Sequence, residues 1–202
     1  MSKKRKLRWQ VKAVLAALGS VACMTGVTGV SAYYTAHEKS TNTVTPATNE
    51  ITVVEKFNPP TELKVGANTY QKEVQIKNTG NSDTYVRVFC DVSEDSVRDT
   101  TSLSPNGTSW YSISDYRNHL PDNWSYITTG DLAGYYYYTL PVKAGASTTA
   151  LIKQIKTEFS KEEDIKPYDV IVSAESIQIR GKYGQLFTGA DAWKSAWTEF
   201  VK

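Results

Sequence analysis

The sequence predicts an all-β fold: an antiparallel β-sandwich of jelly-roll or immunoglobulin-like type, with a short C-terminal helix. Three observations carry this reading. Between residues 50 and 180 apolar side chains recur at a period of two, in short runs separated by turn signals. The runs are rich in Val, Ile, Thr and Tyr, which suit a pleated, half-buried surface. Only after residue 190 does the period become helical. A hydrophobic content of 40%, with 13 Tyr and 5 Trp, suffices for a packed core and excludes wholesale disorder.

Taken in order, Ile51 to Phe57 is a short apolar strand ended by Asn58-Pro59-Pro60. Tyr70, Lys72, Val74 and Ile76 alternate with Gln71, Glu73, Gln75 and Lys77. After the turn signal Asn78-Thr79-Gly80-Asn81, the residues Val86, Val88, Cys90 and Val92 share a face. These two segments read as a hairpin. Asp95 to Pro121 is polar and reads as loops with little regular structure. Trp124 to Thr128 and Tyr135 to Leu140 read as strands, followed by a turn at Pro141 to Ser147. Thr149 to Phe159 is a strand with Leu151, Ile155 and Phe159 on one face, and Lys161 to Asp164 is a solvated turn. In the strand Tyr168 to Arg180 the apolar face changes parity from Val170, Val172 and Ala174 to Ile177 and Ile179, which predicts a β-bulge near Glu175-Ser176. Asp191 is placed to cap a helix whose stripe is Ala192, Trp193, Ala196, Trp197, Phe200 and Val201.

The charge is unevenly spread. The net value is +2, yet residues 1–32 hold six basic side chains and no acid, leaving 23 − 6 = 17 basic against 21 acidic residues elsewhere. Nucleic acid is therefore not an expected partner. The basic run Lys3 to Arg8, the uncharged stretch Ala13 to Val30 and the small residues before Tyr33 read as an export signal, residues 1–32, cleaved between Ala32 and Tyr33. An uncleaved membrane anchor is the rival reading. Cys23 would leave with the signal, so Cys90 would be alone and no internal disulfide would form. Residues 33–48 then precede a sandwich domain at 49–202.

No enzyme chemistry is legible. A zinc protease helix needs His-Glu-x-x-His, but His37-Glu38-Lys39-Ser40 is followed by Thr41. The other histidine, His119, is distant in sequence, so no metal and no cofactor is expected. Cys90, on the Val86/Val88/Val92 face, reads as a buried thiol and not as a nucleophile. The run Tyr135 to Tyr138 suggests sugar stacking at Tyr136 or Tyr138, but alternating tyrosines in a strand more often bury one set. Matrix polysaccharide is the subsidiary partner on that reading.

The order of motifs carries a resemblance. Ala32-Tyr33-Tyr34-Thr35-Ala36-His37-Glu38 follows the signal at once. Then come the run Lys77 to Val88, the strand Tyr168 to Gln178, and Ala190 to Trp197. The chain resembles the TasA/camelysin-type exported proteins, and among them the BsaA-like biofilm matrix proteins of Gram-positive bacteria. The resemblance implies processing by a SipW-type signal peptidase, a jelly-roll-like sandwich, and extracellular fibres built by donation of the N-terminal strand. The partner is then another copy of the chain. A monomeric surface adhesin or a camelysin-like metalloprotease is the alternative. The segment Tyr33 to Thr45 has 13 residues without Gly or Pro. Extended, it would reach about 43 Å, enough to follow a sheet edge. Its donor residues on this reading are Tyr33, Tyr34, Thr35, Ala36, His37, Lys39 and Val44, with Lys39 also the candidate donor of an isopeptide bond.

Overall fold

The computed structural model describes residues 48–201. Nine strands form two antiparallel sheets. They are β1 (Ile51–Asn58), β2 (Gly66–Asn78), β3 (Thr84–Val92), β4 (Thr101–Ser104), β5 (Tyr111–Ser112), β6 (Trp124–Tyr126), β7 (Tyr136–Tyr138), β8 (Ile152–Phe159) and β9 (Val170–Gln178). The first sheet has the order β1-β2-β8-β4-β5 and the second β6-β7-β3-β9. Helix α1 (Asp95–Arg98) precedes β4, α2 (Ile113–Tyr116) follows β5, and α3 (Ala192–Phe200) ends the fold. This is the expected all-β sandwich with a C-terminal helix. No helix among the described residues is long and apolar enough to cross a membrane.

The expected hairpin of β2 and β3 does not form; the two strands lie in different sheets. Both edges of β2 are already taken. One carries β1, in register from Ile51↔Asn78 to Asn58↔Gln71. The other carries β8 and the segment before it, where Leu151 N–H donates to Val74 O and Thr148 N–H to Ile76 O. With no edge left, the turn after Asn78 carries the chain across to the second sheet, where β3 pairs with β9 and β7. The stretch expected to be loops also carries structure: β4 and β5 extend the first sheet, and α1 and α2 flank them.

The main core lies between the sheets. Val74, Ile76, Leu103, Ile152 and Ile155 meet Val86, Val88, Tyr136, Val172 and Ala174. Each Val, Leu or Ile among them contributes roughly 1.5–3 kcal/mol by leaving water. The second sheet is covered on its other face too. There Tyr85, Tyr137 and Ile177 pack against Trp193, Ala196 and Trp197 of α3. This explains the parity change in β9 without a bulge: its pairing with β3 is unbroken from Val170↔Val92 to Gln178↔Thr84. Val172 and Ala174 face the sandwich core, and Ile177 faces the helix. The irregular register lies instead in β2, between Gln71 and Val74, opposite β8.

Beneath the helix Arg87, 7% exposed, sits among aromatic rings. Its guanidinium lies 4.1 Å from the Tyr135 ring centre and 4.4 Å from that of Trp197. Its Nε donates to Glu175 Oε2 at 2.7 Å, and Glu175 is its cross-strand partner in β9. A cation enclosed in this way gains from ring faces and a carboxylate together. The helix departs from its expected stripe at the end: Phe200 and Val201 are exposed, and the side chain of Asp191 makes no capping hydrogen bond.

One charge pair lies inside the sandwich. Lys72, 1% exposed, donates from Nζ to Glu55 Oε2 at 2.6 Å, while Glu55 Oε1 is buried without a hydrogen bond. Removing one partner leaves the other charge stranded, which is worse than removing both. Lys72→Met is expected to cost about 3 kcal/mol, and Lys72→Met with Glu55→Leu about 1 kcal/mol or less. Urea midpoints check this: a double variant no more stable than the single one would contradict it.

Candidate assembly interface

The expected cleavage site between Ala32 and Tyr33 lies outside the described residues. So do the expected donor residues Tyr33, Tyr34, Thr35, Ala36, His37, Lys39 and Val44, with Lys39 as the candidate isopeptide donor. What is described is the point where the chain after that segment joins the sandwich, and the edges open to an added strand.

The junction is tightly held. Thr48 N–H donates to Asn81 Oδ1 at 2.7 Å, and Asn81 N–H donates back to Thr48 O at 3.2 Å. Glu50 O accepts from the N–H groups of Thr79 and Gly80. Asn49 bridges to the second sheet: its Nδ2 donates to Ser176 O at 2.9 Å, and its Oδ1 accepts from Thr84 Oγ1 at 2.7 Å. The Asn78-Thr79-Gly80-Asn81 run, expected to be a hairpin turn, is therefore a clamp on residues 48–50. Gly80 is required by proximity, because a Cβ there would lie 2.1 Å from Thr48 O.

Four strands end their sheets: β1 and β5 in the first, β6 and β9 in the second. β5 has two residues and β6 three, too few to template a strand, whereas β1 has eight and β9 nine. The two long edges belong to the same side of the sandwich, since Asn49, just before β1, bonds to Ser176 of β9. Along this side lie the half-buried Val53, Tyr168 and Val170. An unpaired row of backbone N–H and C=O groups flanked by apolar side chains can accept another strand.

The remaining residues singled out in the sequence have structural surroundings. Tyr136 and Tyr138 are 4% and 8% exposed and belong to the inter-sheet core, so neither offers a ring face on the open surface for a sugar. His119 stacks on Tyr111 with ring centres 3.8 Å apart, and its Nε2 lies 3.3 Å from Asp115. Among the described residues no group of three or more His, Cys, Asp or Glu is placed to hold a metal ion. Cys90 is partly exposed in a cleft beside β3, yet burial pushes its thiol up to about 12, with nearby Asp91 and Glu55 adding to the rise and Lys72 opposing it.

No family model and no curated protein matches this chain.

Two outcomes follow from this geometry. Gly80→Ala is expected to lower stability by roughly 2–3 kcal/mol, since the obstructing atom is backbone and the clamp must open; a denaturant midpoint within error of the parent would refute it. At pH 8 alkylation of Cys90 is expected to be roughly a thousandfold slower in the folded chain than in denaturant, because little thiolate forms. Stopped-flow or mass-spectrometric labelling measures both rates, and equal rates would show an ordinary thiol.

Proposed function

We propose that this protein is a structural subunit of an extracellular biofilm-matrix fibre, exported, trimmed after Ala32 by a SipW-type signal peptidase, and joined head to tail to further copies of itself. The observation that carries the reading is the clamped junction at Thr48 to Glu50 beside the long open edge of β9. The likeness to TasA/camelysin-type proteins and the Thr- and Tyr-rich segment before Thr45 support it.

Chain direction distinguishes self from neighbour. β9 runs toward the clamp, where Ser176 bonds to Asn49. A strand laid along its own β9 from that junction would run parallel to it. Every strand pair in the sandwich is antiparallel, the geometry with the more favourable hydrogen bonds. Antiparallel addition is open to the segment of another copy. Such a contact joins two different surfaces, does not close on itself, and extends a filament. The chemistry required is backbone hydrogen bonding and burial, so the function needs no catalytic group and no cofactor.

The deletion of residues Tyr33 to Thr43 tests this. The shortened chain is expected to be folded, soluble and monomeric, with circular dichroism and melting like the parent, and to form no fibres by negative-stain electron microscopy. Fibres of normal appearance from the deletion would sink the proposal.

A further inference from the structure

The second sheet has a gap, and the gap is a cleft. β7 pairs with β3 only at Arg87↔Tyr137 and Val88↔Tyr136. Beyond Val88, β3 has no strand on that side, although β9 accompanies it to Val92 on the other. The space is closed by α1, α2 and β6, leaving a cleft of about 450 Å³ beside Phe89, Cys90 and Asp91. β3 starts at the clamp with Thr84 and ends at the cleft, so the cleft lies at the opposite end from the junction of the N-terminal segment.

Its lining carries more hydrogen-bonding capacity than the fold uses. Tyr136 is 4% exposed and lines the cleft, but its hydroxyl bonds to no described residue. The hydroxyl of Tyr126, whose ring lies 4.8 Å from that of Tyr136, likewise bonds to no described residue. The Tyr136 hydroxyl is not among the buried atoms left without a partner, so this otherwise buried phenol opens its polar end to the cleft, where solvent or a ligand can bond it. Arg117 and Asp99 line the cleft too, and neither side chain forms an ion pair with a described residue. Ser112 and Ser114 add hydroxyls, and Phe89, 36% exposed, adds an apolar ring.

The balance of these groups selects the ligand. Two arginines and two aspartates line the cleft, so its formal charge is zero, and Arg98 is already paired with Asp91. A phosphate or polyanion would need surplus positive charge. What remains is a set of hydroxyls, one guanidinium, one carboxylate and aromatic faces: donors and acceptors in alternation around apolar surface. That set matches a pyranose, whose equatorial hydroxyls need both kinds of partner and whose C–H face packs on rings. We infer that the cleft between β3, β7, α1 and α2 binds a neutral hexose unit of a polysaccharide, with Tyr126, Tyr136, Arg117 and Asp99 as its polar contacts. The site is independent of strand donation and remote from the clamped junction, so a subunit within a fibre could hold a sugar chain as well.

The test is a titration of the ¹⁵N-labelled chain with methyl glucopyranoside, methyl galactopyranoside and N-acetylglucosamine. At least one is expected to shift resonances around Phe89, Tyr126 and Arg117 with a dissociation constant in the millimolar range, about 1–10 mM. Arg117→Ala, at an exposed position, is expected to weaken binding about tenfold. Tyr136→Phe, which removes only the hydroxyl, is expected to weaken it several-fold while the thermal midpoint stays within error. No shift with any of the three sugars would overturn the inference. So would binding that neither variant changes, or a response confined to galacturonate or inorganic phosphate, which would mark an anion site.

Discussion

The side-chain amide of Asn78 holds the place where the two sheets are joined. It is fully buried, and it spends its hydrogen bonds on three strands of chain at once. Nδ2 donates to Ser82 O at 2.7 Å and to Val142 O at 2.9 Å, while Oδ1 accepts from Gly80 N–H at 3.0 Å. The first bond shapes the crossover from β2 to β3. The second ties that crossover to the segment leading into β8, where Thr84 and Val142 also exchange backbone hydrogen bonds. The third folds Gly80 under the chain at Thr48 to Glu50. An apolar residue at 78 would remove all three bonds, leaving Gly80 N–H only Glu50 O and Val142 O only Thr84 N–H, at about 1 kcal/mol for each bond lost. The sandwich, the junction of the N-terminal segment and the position of β9 beside that junction all follow from this one amide.

The second sheet is the more deeply buried of the two, and this explains most of what pattern reading missed. A sheet with one wet face gives a clean alternation, as in β2, where Tyr70, Lys72, Val74 and Ile76 point inward. A sheet covered on both faces loses it. All three residues of β7 are buried: Tyr136 and Tyr138 in the sandwich, Tyr137 beneath α3 with its hydroxyl donating to Leu132 O at 2.7 Å. The same covering places Ile177 and Tyr85 inside on the helix side. A parity change is the sign of a bulge only if the other face is solvated. The helix was legible from its own period, but the face it covers was not, because that depends on a contact between distant segments.

The strands themselves were legible where burial is one-sided or the turns are strong: β6, β7, β8 and β9 each fall within an expected segment, and β1, β2 and β3 each contain one and run past it. The pairing was not. Asn78 to Asn81 has the composition of a hairpin turn, and nothing local reveals that residues 146–151 and β1 already occupy both edges of β2. β4 and β5 were hidden for a different reason. They are short, and their order comes from pairing, β4 with β8 at Thr101↔Thr157 and Leu103↔Ile155 and β5 with β4 at Leu103↔Tyr111. The cleft was equally invisible, since it exists only because β7 stops two residues along β3. Of its lining, the sequence singles out only Cys90 and Tyr136, each for chemistry that burial alters.

Lys72 and Glu55 bring the edge strands and the core into one argument. A core that placed apolar residues at both positions would be nearly as stable, since desolvating an ion pair offsets most of its attraction. Here the pair lies between β1, a sheet-edge strand, and β2, on the inward face. The charge of Lys72 also packs on the ring of Phe57, 4.6 Å away, which is itself 44% exposed at the end of the same edge. A lysine facing inward next to a sheet edge discourages the edge from sliding, because any change of register would separate the two charges and bury each alone. β9 carries a pair of the same kind on its outward face, where Glu175 meets the buried Arg87 of β3, while its inward residues are Val172 and Ala174, small and apolar, and its outward Ile171 is exposed. Each of the two long edges on this side of the sandwich is therefore tied to its inner neighbour by a charge pair. What separates the two edges is the inward face an added strand would meet, charged beside β1 and apolar at Val172 and Ala174 of β9, and β9 is the edge that ends beside the clamp.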